Sequence, residues 1–146
     1  METTMQTIFI QGAISTTMVA QSIQRYATDM AIGAHSCFIG QVRADLVEGK
    51  EVVAIEYTAY QAMADEQLQI LAADIYKRYT LNGIIVKHSL GMVAAGEICL
   101  LVLAVAGHRR AAMDACGELV DRIKNELPIW GKEYFAGDGY QWKINQ

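Results

Sequence analysis

The segment ICLLVLAVA, residues 98–106, is nine consecutive apolar side chains. A membrane-crossing helix needs about 20 such residues, so this run belongs inside a globular core. Its length and flanks predict a buried strand. AAGE, residues 94–97, makes a turn before it, and Gly107 makes another after it. His108, Arg109 and Arg110 follow at once, and the periodicity beyond them is helical. Three basic side chains thus open a helix whose N-terminal dipole disfavours cations. A helix N-terminus attracts anions to its free N–H groups. The cluster reads either as a solvated basic turn paired with carboxylates such as Glu118 or Asp121, or as a corner that holds something negative.

The chain has 146 residues, which predicts one domain, residues 1–146, with a sizeable core. It carries no repeat, low-complexity tract or linker. TIFIQG at 7–12 predicts a strand. STTMVAQSIQRYAT at 15–28 predicts a helix capped by Ser15 or Thr16, with Val19, Ile23 and Tyr26 at helical spacing. AHSCFIGQVRA at 34–44 reads as a buried strand and DLVEGKE at 45–51 as a turn with Gly49. VVAIEYTAY at 52–60 is β-branched and aromatic and reads as a strand pairing back as a hairpin. Ala64, Leu68, Leu71, Ile75 and Tyr79 form one stripe of a long helix, which Asn82–Gly83 ends in the left-handed manner. IIVKHSLG at 84–91 is a strand. A second long helix, 109–127, buries Ala112, Cys116, Leu119, Ile123 and Leu127, and Pro128 closes it. GDG at 137–139, between aromatic runs, signals a C-terminal hairpin. The sum is an α+β fold with helices packed on a mixed sheet. Pattern alone does not separate a ferredoxin-like order from its relatives.

Charge and cysteine usage narrow the function. The formal net charge of −4 argues against general affinity for nucleic acid or anionic membrane, so any anion site is a local cluster of positive charge. METTMQTIFIQGAIS, residues 1–15, has neither a basic n-region nor a long apolar h-region, so no secretory signal is expected. Cys37, Cys99 and Cys116 are odd in number, far apart and set among apolar residues. They read as buried, reduced thiols of a cytoplasmic protein rather than disulfides or metal ligands, and no CxxC or HxxxH pair supports a metal site.

Four further positions bear on chemistry. Lys124 shares a helical stripe with Met113, Gly117 and Val120, offset from the core stripe. A mid-helix glycine costs about 1 kcal/mol relative to alanine, so Gly117 suggests close approach of a ligand or partner, while Lys124 also suits the helix C-terminus on dipole grounds. Arg43 stands near a strand end. Lys132 follows PIWG, and its plain reading is an exposed strand charge. His88 and His35 read as structural histidines.

FIGQVR (38–43), IEYTAYQAMA (55–64), VKHSLGMVAAGE (86–97), GHRRA (107–111) and RIKNELPIWGKE (122–133), taken in order and spacing, resemble the catalytic, large-subunit family of molybdopterin synthases. The resemblance runs from Phe38 to Trp142. It implies an α/β-hammerhead type of fold with packed helices and a homodimer within a heterotetramer. The implied partner is a small ubiquitin-like sulfur carrier whose Gly-Gly tail ends in a thiocarboxylate. The implied reaction is sulfur transfer in molybdenum cofactor biosynthesis: two transfers turn cyclic pyranopterin monophosphate into the dithiolene of molybdopterin. No resident cofactor or metal is implied, since molybdenum arrives later through other proteins. Arg43, His108 and Arg109 match the family's substrate-binding positions, and a phosphate is the anion a guanidinium grips best. Arg110 has no such counterpart. Lys124 matches the catalytic lysine of a K-x-x-x-P-x-W pattern, with proton transfer and anchoring of the thiocarboxylate as its two open roles. The family's second functional lysine directly follows the tryptophan. Here Gly131 stands there and Lys132 comes next. In an extended segment a one-residue shift turns a side chain to the other face, unless Gly131 permits a bulge that restores its direction. The alternative is a non-catalytic homologue that binds a phosphorylated small ligand or a carrier-like partner. A ferredoxin-like regulatory module is a third reading.

Overall fold

A computed structural model describes residues 8–137 and 139–144. Among the described residues, eight strands and three helices follow in the order β1 (Phe9–Gln11), α1 (Thr16–Gln24), β2 (Ala34–Gln41), β3 (Leu46–Val47), β4 (Lys50–Ala59), α2 (Gln61–Arg78), β5 (Gly83–Ala94), β6 (Ile98–Ala106), α3 (Arg109–Glu126), β7 (Ile129–Phe135) and β8 (Tyr140–Trp142). The sheet runs β2-β6-β5-β4-β7-β8, with β3 on β4 and β1 on β5. All pairings are antiparallel except β1 with β5. The sheet is therefore mixed, as the α+β reading expects, and it ends in the expected C-terminal hairpin.

The nine apolar residues of β6 sit between β2 and β5. From Cys99 to Ala106 all are buried, because both faces of the strand are covered. Val102, Ala104 and Ala106 belong to the main core together with Leu68, Leu71 and Ile75 of α2 and Cys116, Leu119 and Ile123 of α3. Leu103 and Val105 face the other way with Ile85, beneath Tyr26 and Ile32 from the segment after α1. Arginines and carboxylates bridge α2 and α3 at the surface. Arg122 Nη1 lies 3.0 Å from Asp74 and Arg78 pairs with Glu118, while within α3 Arg122 Nε lies 2.8 Å from Glu126.

Several expectations are corrected. The 34–44 segment is an edge strand rather than a fully buried one. Its side chains alternate between half-buried and exposed, and Cys37 is consequently exposed while Cys99 and Cys116 are buried. Nor does β4 pair back on β2. A bulge at Gly40/Gln41 bends β2 out of register. Val42 then bonds across the β5–β6 turn, donating to Glu97 O at 2.9 Å and accepting from Gly96 N–H at 2.8 Å. The chain so crosses to the other half of the sheet. There β4 makes only a two-residue hairpin with β3, through left-handed Glu48 and Gly49. Helix α1 is shorter than expected. Ser15 caps it by accepting from Met18 N–H, but Ile23 is exposed and Ser22 is the residue it buries. Helix α2 ends through Thr80 at φ +52°, not through Gly83. Gly83 has a different purpose: a Cβ there meets the Tyr26 phenol oxygen at 2.3 Å, so the Tyr26 ring occupies the space a side chain would take.

Candidate active site

A cleft of about 610 Å³ opens where the bent end of β2, the centre of β4, the last turn of α3 and the β7–β8 hairpin meet. Strand alternation decides which residues reach it. Tyr57 pairs with Gly131, Ile55 with Glu133, and Glu133 with Gln141. All of these line the cleft, and so does Lys143, whose N–H donates to Gly131 O at 2.8 Å.

Lys124 lines the cleft from α3. It stands in the last turn, where the helix dipole favours a cation. Arg43 stands at the rim, its side chain 76 % exposed and its Nε 2.9 Å from Asp45 Oδ1. Beneath them is His88, buried, with Nδ1 2.8 Å from Ser89 O. A carbonyl only accepts, so Nδ1 carries the proton and Nε2 is the bare nitrogen. The ring is edge-on to Tyr57, centroids 5.1 Å apart, and to Phe9 at 6.3 Å. Burial, reinforced by the charge of Lys124, pushes the imidazole down to about 4. Burial likewise pushes the Tyr57 phenol far up, with Cys99 and Glu133 adding to the effect. Cys99 Sγ donates to Gly40 O at 3.5 Å. Glu133 is buried and accepts from Gln141 Nε2 at 2.9 Å.

The other three sequence candidates lie elsewhere. Lys132 is turned from the cleft. The β4–β7 register runs unbroken from Ile129 to Tyr134, so no bulge at Gly131 restores its direction. Its ammonium rests over the outer face of the hairpin, 4.2 Å from the Tyr140 ring centroid and 5.2 Å from that of Trp142. Position 131 does face the cleft, but a Cβ there comes within 2.9 Å of Ile55 and 3.3 Å of Tyr57, so a side chain would have to push them aside. His108 caps α3 in an extended conformation, and Arg109 opens the helix. Both are exposed, and neither belongs to the cleft wall. Arg109 and Lys124 are fifteen positions apart on one helix, about 22 Å along its axis. Glu118, one of the carboxylates suggested for the basic turn, pairs instead with Arg78 and Arg122, while Arg110 lies 3.9 Å from Asp114, a surface carboxylate of its own helix. A Cβ at Gly117 meets nothing within 4 Å, so no neighbour among the described residues requires that glycine.

Tyr57, Cys99, Glu133, Gln141 and Lys143 were not among the sequence candidates. For the last three the signal was alternation: 131, 133, 141 and 143 share a face once the hairpin register is known. Among the described residues, no three His, Cys, Asp or Glu side chains gather as a metal site requires, and no helix is long and apolar enough to cross a membrane.

The sequence matches the profile of the MoaE protein family over residues 13–126. A molybdopterin synthase catalytic subunit of rice (Oryza sativa subsp. indica) is 40% identical over 121 residues, covering 83% of this chain and 62% of the rice protein. The cattle (Bos taurus) protein of that name is 33% identical over 114 residues, 78% of this chain and 60% of its own length. The chain thus spans less than two thirds of these relatives. Among solved structures, molybdopterin synthase from Staphylococcus aureus superposes with a TM-score of 0.79 at 27% identity, over 94% of this chain and 96% of that one. A complex of subunits 1 and 2 of the molybdopterin-converting factor from Helicobacter pylori shares the fold, with a TM-score of 0.72 at 22% identity over 94% and 90% of the two chains. With a profile match over most of its length and relatives this similar, the chain belongs to the MoaE family.

Proposed function

We propose that the protein is the catalytic subunit of a molybdopterin synthase, a sulfurtransferase. It takes sulfur from the C-terminal thiocarboxylate of a small carrier and builds the dithiolene of molybdopterin on cyclic pyranopterin monophosphate. The observation that carries this reading is the cleft, which sets Lys124 and Arg43 around a space of about 610 Å³. Both reactants are anionic, and their mutual repulsion grows as water is excluded. Fixed cations offset it and stabilise charge that develops during sulfur transfer. A Gly-Gly tail, which has no side chains of its own, suits a wall as crowded as that beside Gly131, where Ile55 and Tyr57 already fill the space a side chain would take.

The basic corner at His108 and Arg109 fits the pterin phosphate in chemistry but not in position. At about 22 Å it does not reach Lys124 of its own chain. A homodimer that brings the corner of one protomer to the cleft of its partner reconciles the two, and closed two-fold pairing is the commonest assembly. With a carrier on each protomer the assembly is a heterotetramer, in keeping with the two-subunit complex of the Helicobacter relative.

The decisive test is a single turnover with purified protein, thiocarboxylated carrier and cyclic pyranopterin monophosphate, read by mass spectrometry. Dithiolene product is the expected result. Binding of carrier and substrate without product identifies a non-catalytic homologue instead, and binding of neither refutes the reading.

A further inference from the structure

Resting on that reading, we infer that Lys143 is a substrate-contacting lysine: it supplies the second ammonium of the cleft, from the hairpin and not from the helix that carries Lys124, and holds the anionic end of the carrier tail. Three observations converge on it. Lys143 is half-buried and lines the same cleft as Lys124, Gly131, Glu133 and Gln141. Its direction is fixed by the strand pleat. Lys132 pairs with Trp142 and Glu133 with Gln141, which sets position 143 opposite 131, and the Lys143 N–H to Gly131 O bond of 2.8 Å secures that register. Tyr140 and Trp142 therefore point outward with Lys132, while Gln141 and Lys143 point inward.

The third observation is steric. Gly131 faces the cleft with no side chain, and a Cβ placed there crowds Ile55 at 2.9 Å. The β7 position nearest the tail is thus empty, and the neighbouring strand fills the space over it. Lys132, one residue along β7, sits on the far side over Tyr140 and Trp142 and cannot serve. The charges of the cleft agree. Asp45 occupies Arg43 at 2.9 Å, and Glu133 adds a buried negative charge. Lys124 and Arg43 are thus set against Glu133 and Asp45, and two incoming anions need a further cation.

The test compares Lys143→Ala, Lys143→Arg and Lys132→Ala, each checked for an unchanged circular dichroism spectrum and thermal midpoint. The first readout is single-turnover sulfur transfer. Lys143→Ala is expected to lose on the order of 100-fold, Lys143→Arg to recover most of it, and Lys132→Ala to lose less than Lys143→Ala. The second readout needs no turnover: calorimetric binding of a ten-residue peptide ending in Gly-Gly with a free carboxylate. Lys143→Ala is expected to weaken its Kd about tenfold, the size of one charge-assisted hydrogen bond, and Lys143→Arg to preserve it. Active wild-type protein with Lys143→Ala within twofold of it in both readouts overturns the role of Lys143 and leaves the proposed function standing. Inactive wild-type protein that binds the peptide through Lys143 refutes the proposed function and keeps the lysine's role. Failure of the wild-type protein to bind the peptide overturns the inference.

Discussion

Acidification offers a clean probe of the cleft floor. His88 is buried, spends its one N–H on Ser89 O and is pushed down to about 4 by burial and then by Lys124. An unfolded histidine takes a proton near 6.5. Between those two values the unfolded chain binds the extra proton and the folded one does not, so stability falls as the pH is lowered. The loss begins near pH 6.5, ends near pH 4, and is flat on either side. A gap of about 2.5 units at 1.36 kcal/mol each is about 3 kcal/mol. Replacing the ring by His88→Gln costs packing against Tyr57 and Phe9 at every pH but removes the proton-linked part. Urea unfolding at pH 7, 6, 5 and 4, at one fixed protein concentration, separates the two effects. Between pH 7 and 4 the wild type should lose about 3 kcal/mol more than the variant, or about 1.5 M in urea midpoint for an m-value near 2 kcal/mol/M. The carboxylates Asp74 and Glu118, held low by their arginine and tyrosine partners, lose their stabilisation in both proteins as the pH falls and cancel in the difference. Parallel pH profiles for wild type and His88→Gln would refute the reasoning.

Three further outcomes are expected. Lys124→Ala should abolish single-turnover sulfur transfer while its thermal midpoint stays within about 2 °C of wild type, because the side chain is exposed and surface changes cost little. Arg109→Ala, assayed by calorimetry, should weaken binding of the pterin substrate more than binding of the carrier. If the site spans two protomers, mixing Lys124→Ala with Arg109→Ala, under conditions where neither turns over alone, should restore about a quarter of wild-type activity, since half of all dimers are then mixed and each mixed dimer holds one intact site of two. Gly33→Ala places a methyl 2.1 Å from Gly107 O, at the turn that sets His108. A clash with backbone should cost about 3 kcal/mol, lowering the melting temperature by roughly 5–10 °C in a scanning calorimeter.

The long elements were legible because their signals are periodic and local. The stripe Ala112, Cys116, Leu119, Ile123 predicted the buried face of α3, and the unbroken run of β6 predicted its full burial. Pairing was not legible. Whether β4 returns to β2 depends on the bulge at Gly40/Gln41 and on Val42 bonding across the β5–β6 turn, and neither leaves a mark in local composition. The site divides the same way. Lys124 and Arg43 were found from short motifs and stand at the cleft. The one-residue displacement of Lys132 was legible too, and β7 follows the plain alternation rather than a bulge. Lys143 was invisible, because its place at the cleft comes from a register two strands long.

The hairpin wall has one more implication. In an antiparallel pair every point above the sheet has two backbone addresses, one on each strand, running in opposite chain directions. Gly131 and Lys143 are such a pair. A charge demanded at that point can move from one address to the other while the backbone stays in place, provided Ile55 and Tyr57 repack around whatever stands at 131. Comparison column by column would score the change as a vacancy at one position and a stray surface residue twelve places later. Conservation in such a wall attaches to a location in space, and the chain is free to renegotiate which residue answers for it.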